Sequence, residues 1–162
     1  MKKLIKTTGL LIGIAIIAGL GLIGYVRLAP TDAARWHVDL AAAGFEVPAN
    51  GSVFCVRPDN AFGPISGSVE DLLSALDGIV MATPRTRRVA GSAAEGRITW
   101  VTRSALMGYP DYITAQVMPG PGLCILGRQR FGEADLGVNA ARIGVWAQEA
   151  LGLGEPPKMT GF

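Results

Sequence analysis

An uncharged apolar stretch near the N-terminus is the strongest constraint on how this chain folds. The residues between Lys6 and Arg27 read TTGLLIGIAIIAGLGLIGYV, which is 20 positions without a charged side chain. A helix of about 20 apolar residues is long enough to cross the hydrocarbon core of a bilayer. We therefore predict a membrane-spanning helix that contacts the lipid bilayer through residues 7–26.

The residues that flank this stretch predict whether it is retained and how it is oriented. A cleaved signal peptide has the same basic start, but its apolar core is shorter and ends in a small-residue cleavage site, whereas RLAP follows here. We expect a retained anchor. Lys2, Lys3 and Lys6 precede the stretch and Arg27 alone follows it closely, so the positive-inside rule keeps the N-terminus in the cytoplasm. In a bacterium, this orientation predicts an inner-membrane anchor with the C-terminal domain in the periplasm.

Glycines within the stretch raise the question of a helix partner. Gly9 and Gly13 form one G-x-x-x-G pair, a spacing that lets a second helix approach closely in a membrane. Single pairs of this kind are common in apolar spans, so a plain lipid-facing helix is the alternative interpretation. The sequence leaves both open.

The charge of the exported part excludes one class of partner. After Arg27, the chain carries ten Arg and one Lys against thirteen acidic residues, a net charge of −2. General nucleic-acid binding requires a strongly basic domain, so we expect no nucleic-acid partner. Arg85, Arg87 and Arg88, in RTRR, form the one basic cluster. We interpret it as a solvated turn, with a contact to an anionic lipid or a partner as the alternative.

The two cysteines lie in apolar segments 69 positions apart. Cys55 occurs in VFCVRP and Cys124 in LCILG. An oxidising compartment permits a disulfide between them if their strands are neighbours, and two separate buried thiols are the alternative. The absence of a C-x-x-C motif argues against a metal or redox role.

Beyond the anchor, the sequence predicts one globular domain. We expect residues 1–27 to form the cytoplasmic start and the anchor, and residues 28–51 to be a juxtamembrane linker. The globular domain is expected over residues 52–153, with a flexible tail over 154–162. All core elements are then expected to lie beyond Ala49.

Hydrophobic periodicity predicts the elements of this domain. Strand-forming residues occur at 53–58, 97–104, 111–118 and 122–131, with one further short strand in RRVA. The alternation in residues 111–118 predicts a sheet with only one covered face. The turn MPGPG predicts that the last two strands are antiparallel neighbours.

Two helices are predicted to cover that face. The first follows Ser68, an N-cap with Asp71 three residues later, and is expected to stop at Gly78. The second is expected to begin at the N-cap Asn139 and to end at Gly152. The fold class is therefore α+β: an N-terminal transmembrane helix followed by an antiparallel β-sheet packed with two helices.

A charged segment joins the last predicted strand to the last helix. Residues 127–143, GRQRFGEADLGVNAARI, contain three arginines, Asp135 and Asn139. We interpret them as a structural corner, since a carboxylate can accept hydrogen bonds from turn amides or an arginine. The alternative is a pocket in which an arginine and the helix N-terminus hold a carboxylate or phosphate. The candidate residues of this corner are Arg103, Asp111, Arg128, Arg130, Asp135, Asn139 and Arg142.

This segment resembles the signature of a known family. RQRFGEADLGVNAARI is similar to the C-terminal signature of the family called domain of unknown function 1499, roughly S-R-S-R-x-G-x-x-D-L-G-V-N-x-x-R-I. WVTRSALMGYPDYI and VRLAPTDAARWHVD add to the resemblance, which spans about residues 26–147. Gln129 departs from it, because a serine is frequent there. The resemblance implies a fold and an association with membranes, but no activity.

Candidate catalytic residues are sparse. A serine or cysteine nucleophile would need a base, and His37 is the only histidine. We expect His37 and the adjacent Trp36 to lie near the lipid headgroups instead. Two separated cysteines and one histidine do not make a metal site, and no phosphate-binding or dinucleotide-binding loop is present. We therefore expect no enzymatic activity and no cofactor.

Two functions remain as hypotheses. The first is a membrane-anchored, non-catalytic accessory or assembly subunit of a membrane protein complex, based on the glycine-bearing span and the lack of catalytic residues. The alternative is a binding module for a small anionic or amphiphilic ligand at the charged corner before the last helix.

Overall fold

The described part of the chain consists of one long N-terminal helix, a five-stranded sheet and three further helices. The computed structural model describes residues 2–57, 67–120, 122–132 and 137–152. The helices are α1 (Lys2–Leu28), α2 (Ala33–Trp36), α3 (Val69–Ala82) and α4 (Val138–Ala150). The strands are β1 (Gly51–Val56), β2 (Thr86–Ser92), β3 (Arg97–Arg103), β4 (Pro110–Met118) and β5 (Gly122–Gln129). The predicted α+β fold class is confirmed.

The sheet is antiparallel throughout, in the order β1-β5-β4-β3-β2. β2 and β3 form a hairpin, β3 and β4 pair next, and β4 and β5 are joined across the predicted turn. β1 completes the sheet by pairing with β5. β1 therefore lies at the opposite edge of the sheet from β2, the next strand in the sequence. β1 and β2 are therefore the two edge strands.

Helix α1 is long and apolar enough to span a membrane. Its segment Lys6–Leu28 has 23 residues, a mean hydropathy of 2.3 and little burial within the protein, 6%. At 1.5 Å per residue, this segment is about 35 Å long, which exceeds the roughly 30 Å hydrocarbon core. Side chains such as Ile17, 71% exposed, have no protein neighbours to cover them.

Helix α3 begins as predicted and continues further than predicted. Ser68 and Asp71 form a reciprocal capping box in which each side chain accepts a hydrogen bond from the other residue's backbone. The predicted stop at Gly78 is wrong, because the helix continues to Ala82. The burial of Val80, which is 0% exposed, stabilises the last turn more than one glycine destabilises it.

Helices α3 and α4 cover one face of the sheet, here called the helix face. The largest core cluster lies there and includes fully buried side chains from β3, β4, β5 and both helices. Its members are Leu72, Leu73, Leu76, Val80, Ile98, Trp100, Ile113, Ala115, Leu123, Ile125, Ile143, Trp146 and Ala147. This layer is the one that the hydrophobic periodicity predicts.

The opposite face is also covered, so the prediction of a sheet with one covered face is wrong. Residues 31–50 pack across it, and we call it the segment face. Trp36 and Leu40 are 5% and 8% exposed, and Trp36 stacks on Tyr112 with ring centroids 3.9 Å apart. A chain that begins near Ala49 would therefore lack part of the core, which contradicts the expectation that all core elements lie beyond Ala49. The polar residues that suggested a solvated face, such as Thr114 at 0% exposure, are buried beneath this segment.

The segment face also carries a disulfide. Cys55 in β1 and Cys124 in β5 are directly paired residues of neighbouring strands, with Cα atoms 4.1 Å apart, and their sulfur atoms are bonded. Of the two alternatives that the sequence left open, the structure contains the disulfide. It closes a loop over 69 positions of sequence and links the edge strand β1 to its neighbour β5.

The start of α4 differs from the prediction. Asn139 is not its N-cap: the cap position is Gly137, at φ 80°, and Asn139 lies inside the first turn with 0% exposure. Asn139 is buried because it packs closely against β5, where a Cβ added to Gly127 would lie 3.0 Å from the Asn139 Cβ. A glycine at this position lets the helix approach the strand.

Candidate functional site

Most of the candidate corner residues predicted from the sequence lie at one end of the sheet. β3 ends there at Arg103, β5 ends there at Gln129, and α4 begins there at Val138. The exit of α1 lies at the same end, because Arg103 Nη1 donates a hydrogen bond of 3.2 Å to the backbone carbonyl of Val26. We call this end of the sheet the anchor end.

On the helix face of the anchor end, three polar residues form a hydrogen-bonded cluster. Arg142 Nη1 donates to Asp111 Oδ2 at 3.0 Å and to Asn139 Oδ1 at 2.8 Å. The side chains of Arg142 and Asp111 are only 20% and 15% exposed. Because the charges of Arg142 and Asp111 balance each other in a partly buried setting, this cluster is a brace that ties α4 to β4.

The sheet separates Arg103 and Arg128 from this cluster. Successive side chains of a strand point to opposite faces. Asp111 pairs with Thr102 in β3 and with Gln129 in β5, so these three side chains share the helix face. Arg103 follows Thr102 and Arg128 precedes Gln129, so both arginines point to the segment face. The structure thus divides the predicted corner between two faces.

The remaining two corner residues lie beyond the strand. Arg130 donates from Nη1 to the backbone carbonyl of Pro30, so it contacts the chain just after α1. Asp135 lies outside the described residues. Its predicted pairing with an arginine therefore stays a prediction.

Arg128 is the most buried of these arginines. It is 9% exposed, its Cζ lies 5.0 Å from the centroid of the Trp36 ring, and its Nη2 donates to the Trp36 carbonyl at 2.7 Å. Burial, and secondarily the charge of Arg35, lowers the pKa of Arg128. Since it holds both the ring and the main chain of Trp36, Arg128 fixes the segment on the sheet.

His37 lies on the segment face of the sheet beside Trp36, and the predicted position of both residues near the lipid headgroups stays a prediction. His37 Nε2 accepts a hydrogen bond of 3.1 Å from Arg97 Nε, so Nδ1 carries the proton and donates to Thr99 Oγ1 at 2.9 Å. The series continues from Thr99 to Thr114 and from Thr114 to the Trp36 carbonyl. Burial, with the Arg97 charge second, lowers the pKa of His37 below 6.5. The imidazole is therefore a neutral link in a structural network.

A second group of arginines lines a cavity at the anchor end, which we call the arginine cleft. Its volume is about 540 Å³, and none of the described residues that line it is acidic. Small-molecule sites span about 300–1,000 Å³. The walls also include the backbone of the β3–β4 loop and the side chain of Val101. The arginines of the cleft are Arg27, Arg85, Arg87 and Arg103.

The sequence did not predict the cleft, because its arginines come from three separate segments. Arg87 was interpreted as part of a solvated turn, and Arg27 only as a charge that flanks the span. Successive side chains of β2 point to opposite faces of the sheet, and this alternation is the signal that could have separated the arginines of RTRR. Arg87 pairs with Val101 on the segment face, whereas Arg88 pairs with Trp100 on the helix face. Adjacent arginines of RTRR therefore face different surroundings.

Aromatic and apolar side chains surround the anchor end. Phe131 contacts Tyr25 of α1 and Tyr109 of the β3–β4 loop, with ring centroids 6.0 Å and 5.9 Å apart. Leu28 and Leu106 are 83% and 81% exposed. Aromatic rings beside apolar and cationic groups are typical of residues at a membrane–water interface.

The described residues contain no group of three or more His, Cys, Asp and Glu side chains that could hold a metal ion. Asp77 accepts from Trp100 Nε1 at 2.8 Å and forms an ion pair with Arg88, so it stabilises the packing of α3 on the sheet. Asp39 accepts from Gln116 Nε2, and that hydrogen bond is the main reason why the pKa of Asp39 is lowered. Both carboxylates are engaged in packing.

One of the comparisons with known proteins identifies a family. No curated protein matches this chain. A solved structure, a DUF4468 family protein from Bacteroides ovatus, matches with 16% identity and a TM-score of 0.32 over 65% of this chain and 68% of that chain, which is too distant to support an argument. The profile described as "Protein of unknown function (DUF1499)" matches residues 37–149, which include the signature before α4. The chain therefore belongs to the DUF1499 family, as the resemblance of its C-terminal signature implied.

Proposed function

We propose that this protein is a single-pass accessory or assembly subunit of a membrane protein complex, anchored in the bacterial inner membrane with its domain in the periplasm. The observation that carries the proposal is the way in which α1 enters the domain. Val26 and Ala29 are 1% and 6% exposed, whereas most of the described residues of α1 before Val26 are exposed. The folded domain therefore begins where the apolar helix ends, as expected of a domain held at the bilayer surface.

The bare surface of α1 supports a helix partner. Nothing lies within 4 Å of a Cβ added at Gly9 or Gly13, so this side of the helix is open to close approach. Ile16 lies on the same side at helical spacing and is 57% exposed, while Leu11 lies on the opposite side and is 62% exposed. A partner helix at the glycines would contact Ile16 and leave Leu11 facing lipid.

The polar clusters of the domain favour an assembly role over catalysis. Asp111 and Arg142 neutralise each other, and His37 is held between Arg97 and Thr99. Groups that stabilise packing in this way are not poised to transfer protons to a substrate. The same pairing weakens the alternative of an anion site at the predicted corner, because the Arg142 charge is already balanced by Asp111.

Crosslinking in native membranes tests the partner. A photoreactive residue at Ile16 is expected to give one protein adduct of constant mass, and the same residue at Leu11 is expected to give lipid adducts only. Gly13→Leu should abolish the protein adduct, because its side chain fills the site of close approach. Lipid adducts alone at Ile16, or the same protein adducts at both positions, would refute the proposed partner helix.

Fusion reporters test the orientation. Alkaline phosphatase, which requires export to become active, is expected to be active when it follows residue 152, and a fluorescent protein that folds only in the cytoplasm is expected to be dark there. The disulfide between Cys55 and Cys124 supports this placement, because disulfides persist in oxidising compartments. A fluorescent fusion and free thiols in cells would place the domain in the cytoplasm instead.

A further inference from the structure

The geometry points to the headgroup of an anionic phospholipid as the ligand of the arginine cleft. The inference rests on the proposed insertion of α1 into the bilayer, but it does not depend on a protein partner. The phosphate would lie among Arg27, Arg85, Arg87 and Arg103, and the acyl chains would follow α1 into the membrane.

No described carboxylate compensates the positive charge of the cleft arginines. The described residues contain three ion pairs, Arg88–Asp77, Arg97–Asp39 and Arg142–Asp111, and none of them involves an arginine of the cleft. Four guanidinium groups around one cavity, with no carboxylate among its described lining residues, repel one another, and a bound anion would relieve this repulsion. The exported part as a whole has a net charge of −2, so this concentration of positive charge is local.

Neutral groups hold the cleft arginines in place. Arg27 Nη2 donates to the Leu106 carbonyl at 2.9 Å, and Arg103 Nη1 donates to the Gly108 carbonyl at 2.9 Å. Arg87 Nη2 donates to Thr31 Oγ1 at 2.7 Å. Such bonds orient a guanidinium without neutralising its charge, which leaves its other N–H groups to bind phosphate oxygens.

The backbone is strained at one of the cleft arginines. Arg85 has φ 62°, and it is the one non-glycine residue with positive φ in the described part of the chain. A hydrogen bond of 3.1 Å from its Nε to the Arg103 carbonyl holds the side chain in this position. Strained non-glycine residues occur preferentially where a side chain must be aimed at a ligand.

The position of the cleft favours a lipid over a soluble anion. Arg27 belongs to the last turn of α1, so the cleft lies at the level where the apolar span ends. Leu28 and Leu106, which expose apolar side chains, are the sequence neighbours of the cleft residues Arg27 and Ala105. A soluble phosphate would use the arginines alone, whereas a phospholipid would also contact these apolar groups.

Native mass spectrometry of the full chain in a neutral detergent tests the inference. Phosphatidylglycerol is titrated against phosphatidylcholine, and bound lipid is counted for each protein variant. We expect one molecule of phosphatidylglycerol to bind more tightly than phosphatidylcholine. Inorganic phosphate is added as a competitor, and we expect it to displace the lipid poorly.

A pair of adjacent arginines supplies a matched control. Arg87→Gln is expected to weaken the binding of phosphatidylglycerol about fivefold, the effect of about one basic residue at an anionic membrane surface. Arg88→Gln removes the same charge from the same strand, but its side chain pairs with Asp77 on the helix face, and binding should not change. Ala105→Trp narrows the cleft without changing the charge, so it should also weaken binding.

Several results would overturn the inference. Equal affinity for the two lipids, or equal effects of Arg87→Gln and Arg88→Gln, would show general electrostatic attraction in place of a site. Efficient displacement by inorganic phosphate would identify a soluble anion as the ligand. Loss of the proposed crosslinked partner would leave the lipid result intact, since the purified chain is measured alone.

Discussion

Replacing Trp36 by alanine tests whether the segment after α1 is part of the core. The Trp36 ring is 5% exposed and lies flat on Tyr112, with an angle of 6° between the ring planes. A buried aromatic side chain removes about 150–250 Å² from water, which at about 25 cal/mol per Å² amounts to roughly 4–6 kcal/mol as an upper limit. Measured losses for such truncations are about 3–5 kcal/mol.

We therefore expect Trp36→Ala to lower the free energy of unfolding by about 4 kcal/mol. The backbone carbonyl of Trp36, which accepts from Thr114 and Arg128, is retained in the variant, so the loss reports on the ring. The assay is urea unfolding of the full chain in a mild neutral detergent, followed by far-ultraviolet circular dichroism. The α1 signal persists in detergent and serves as an internal baseline.

The same substitution on the other face is the matched control. Trp146 is 4% exposed on the helix face, where Nε1 donates to Thr83 Oγ1 at 3.0 Å, and Trp146→Ala should cause a loss of similar size. A loss below about 0.5 kcal/mol for Trp36→Ala, the range of ordinary surface substitutions, would show that residues 31–50 are not core. That result would restore the interpretation of this segment as a linker.

Three further predictions concern the sheet and its supports. Asp111→Ala should cost about 2 kcal/mol, and its effect should be less than additive with that of Arg142→Ala in a double-mutant cycle read from urea melts; additive effects would contradict the brace. Gly127→Ala should cost about 1–3 kcal/mol, because its Cβ would lie 2.8 Å from the Ile143 Cδ1, and an unchanged melting temperature would show that α4 shifts without cost. The native state favours the neutral form of His37, because the folded pKa of His37 is lowered below 6.5. The free energy of unfolding should therefore fall as the pH drops from 6.5 through the folded pKa. Melts at several pH values test this dependence, which His37→Gln should flatten.

Much of the fold could be predicted because the signals were local. The capping box at Ser68, the turn between β4 and β5, and the apolar spacing of α4 each act within a few residues, so the sequence carries them directly. The termination expected at Gly78 failed because the burial of Val80 comes from tertiary packing, which a local propensity does not contain.

The second covered face could not be predicted because polar residues conceal it. Thr99 and Thr114 are fully buried, yet their hydroxyl groups bond to each other and to His37 or the Trp36 carbonyl. Such partners compensate the cost of burial, but they lie far away in the sequence. An alternation of apolar and polar residues was therefore taken for a solvated face.

The candidate sites could not be predicted, because they depend on strand pairing and helix packing that the spacing of residues in the sequence does not reveal. The register of β4 and β5 decides that Asp111 faces α4 while Arg128 faces Trp36. The arginine cleft combines Arg27, at the end of α1, with Arg103, which is 76 positions later in the sequence, and only the packing of α1 on the sheet brings them together.

The arginines that grip the chain after α1 have a mechanical consequence. Arg103, Arg130 and Arg128 donate hydrogen bonds to the carbonyls of Val26, Pro30 and Trp36, so the connection between helix and sheet is tied to the domain at three points. Any tilt or rotation of the helix within the bilayer must then turn the whole sheet as a rigid lever. A movement of a few degrees at the anchor would displace the far hairpin between β2 and β3 by several times the distance moved near the membrane.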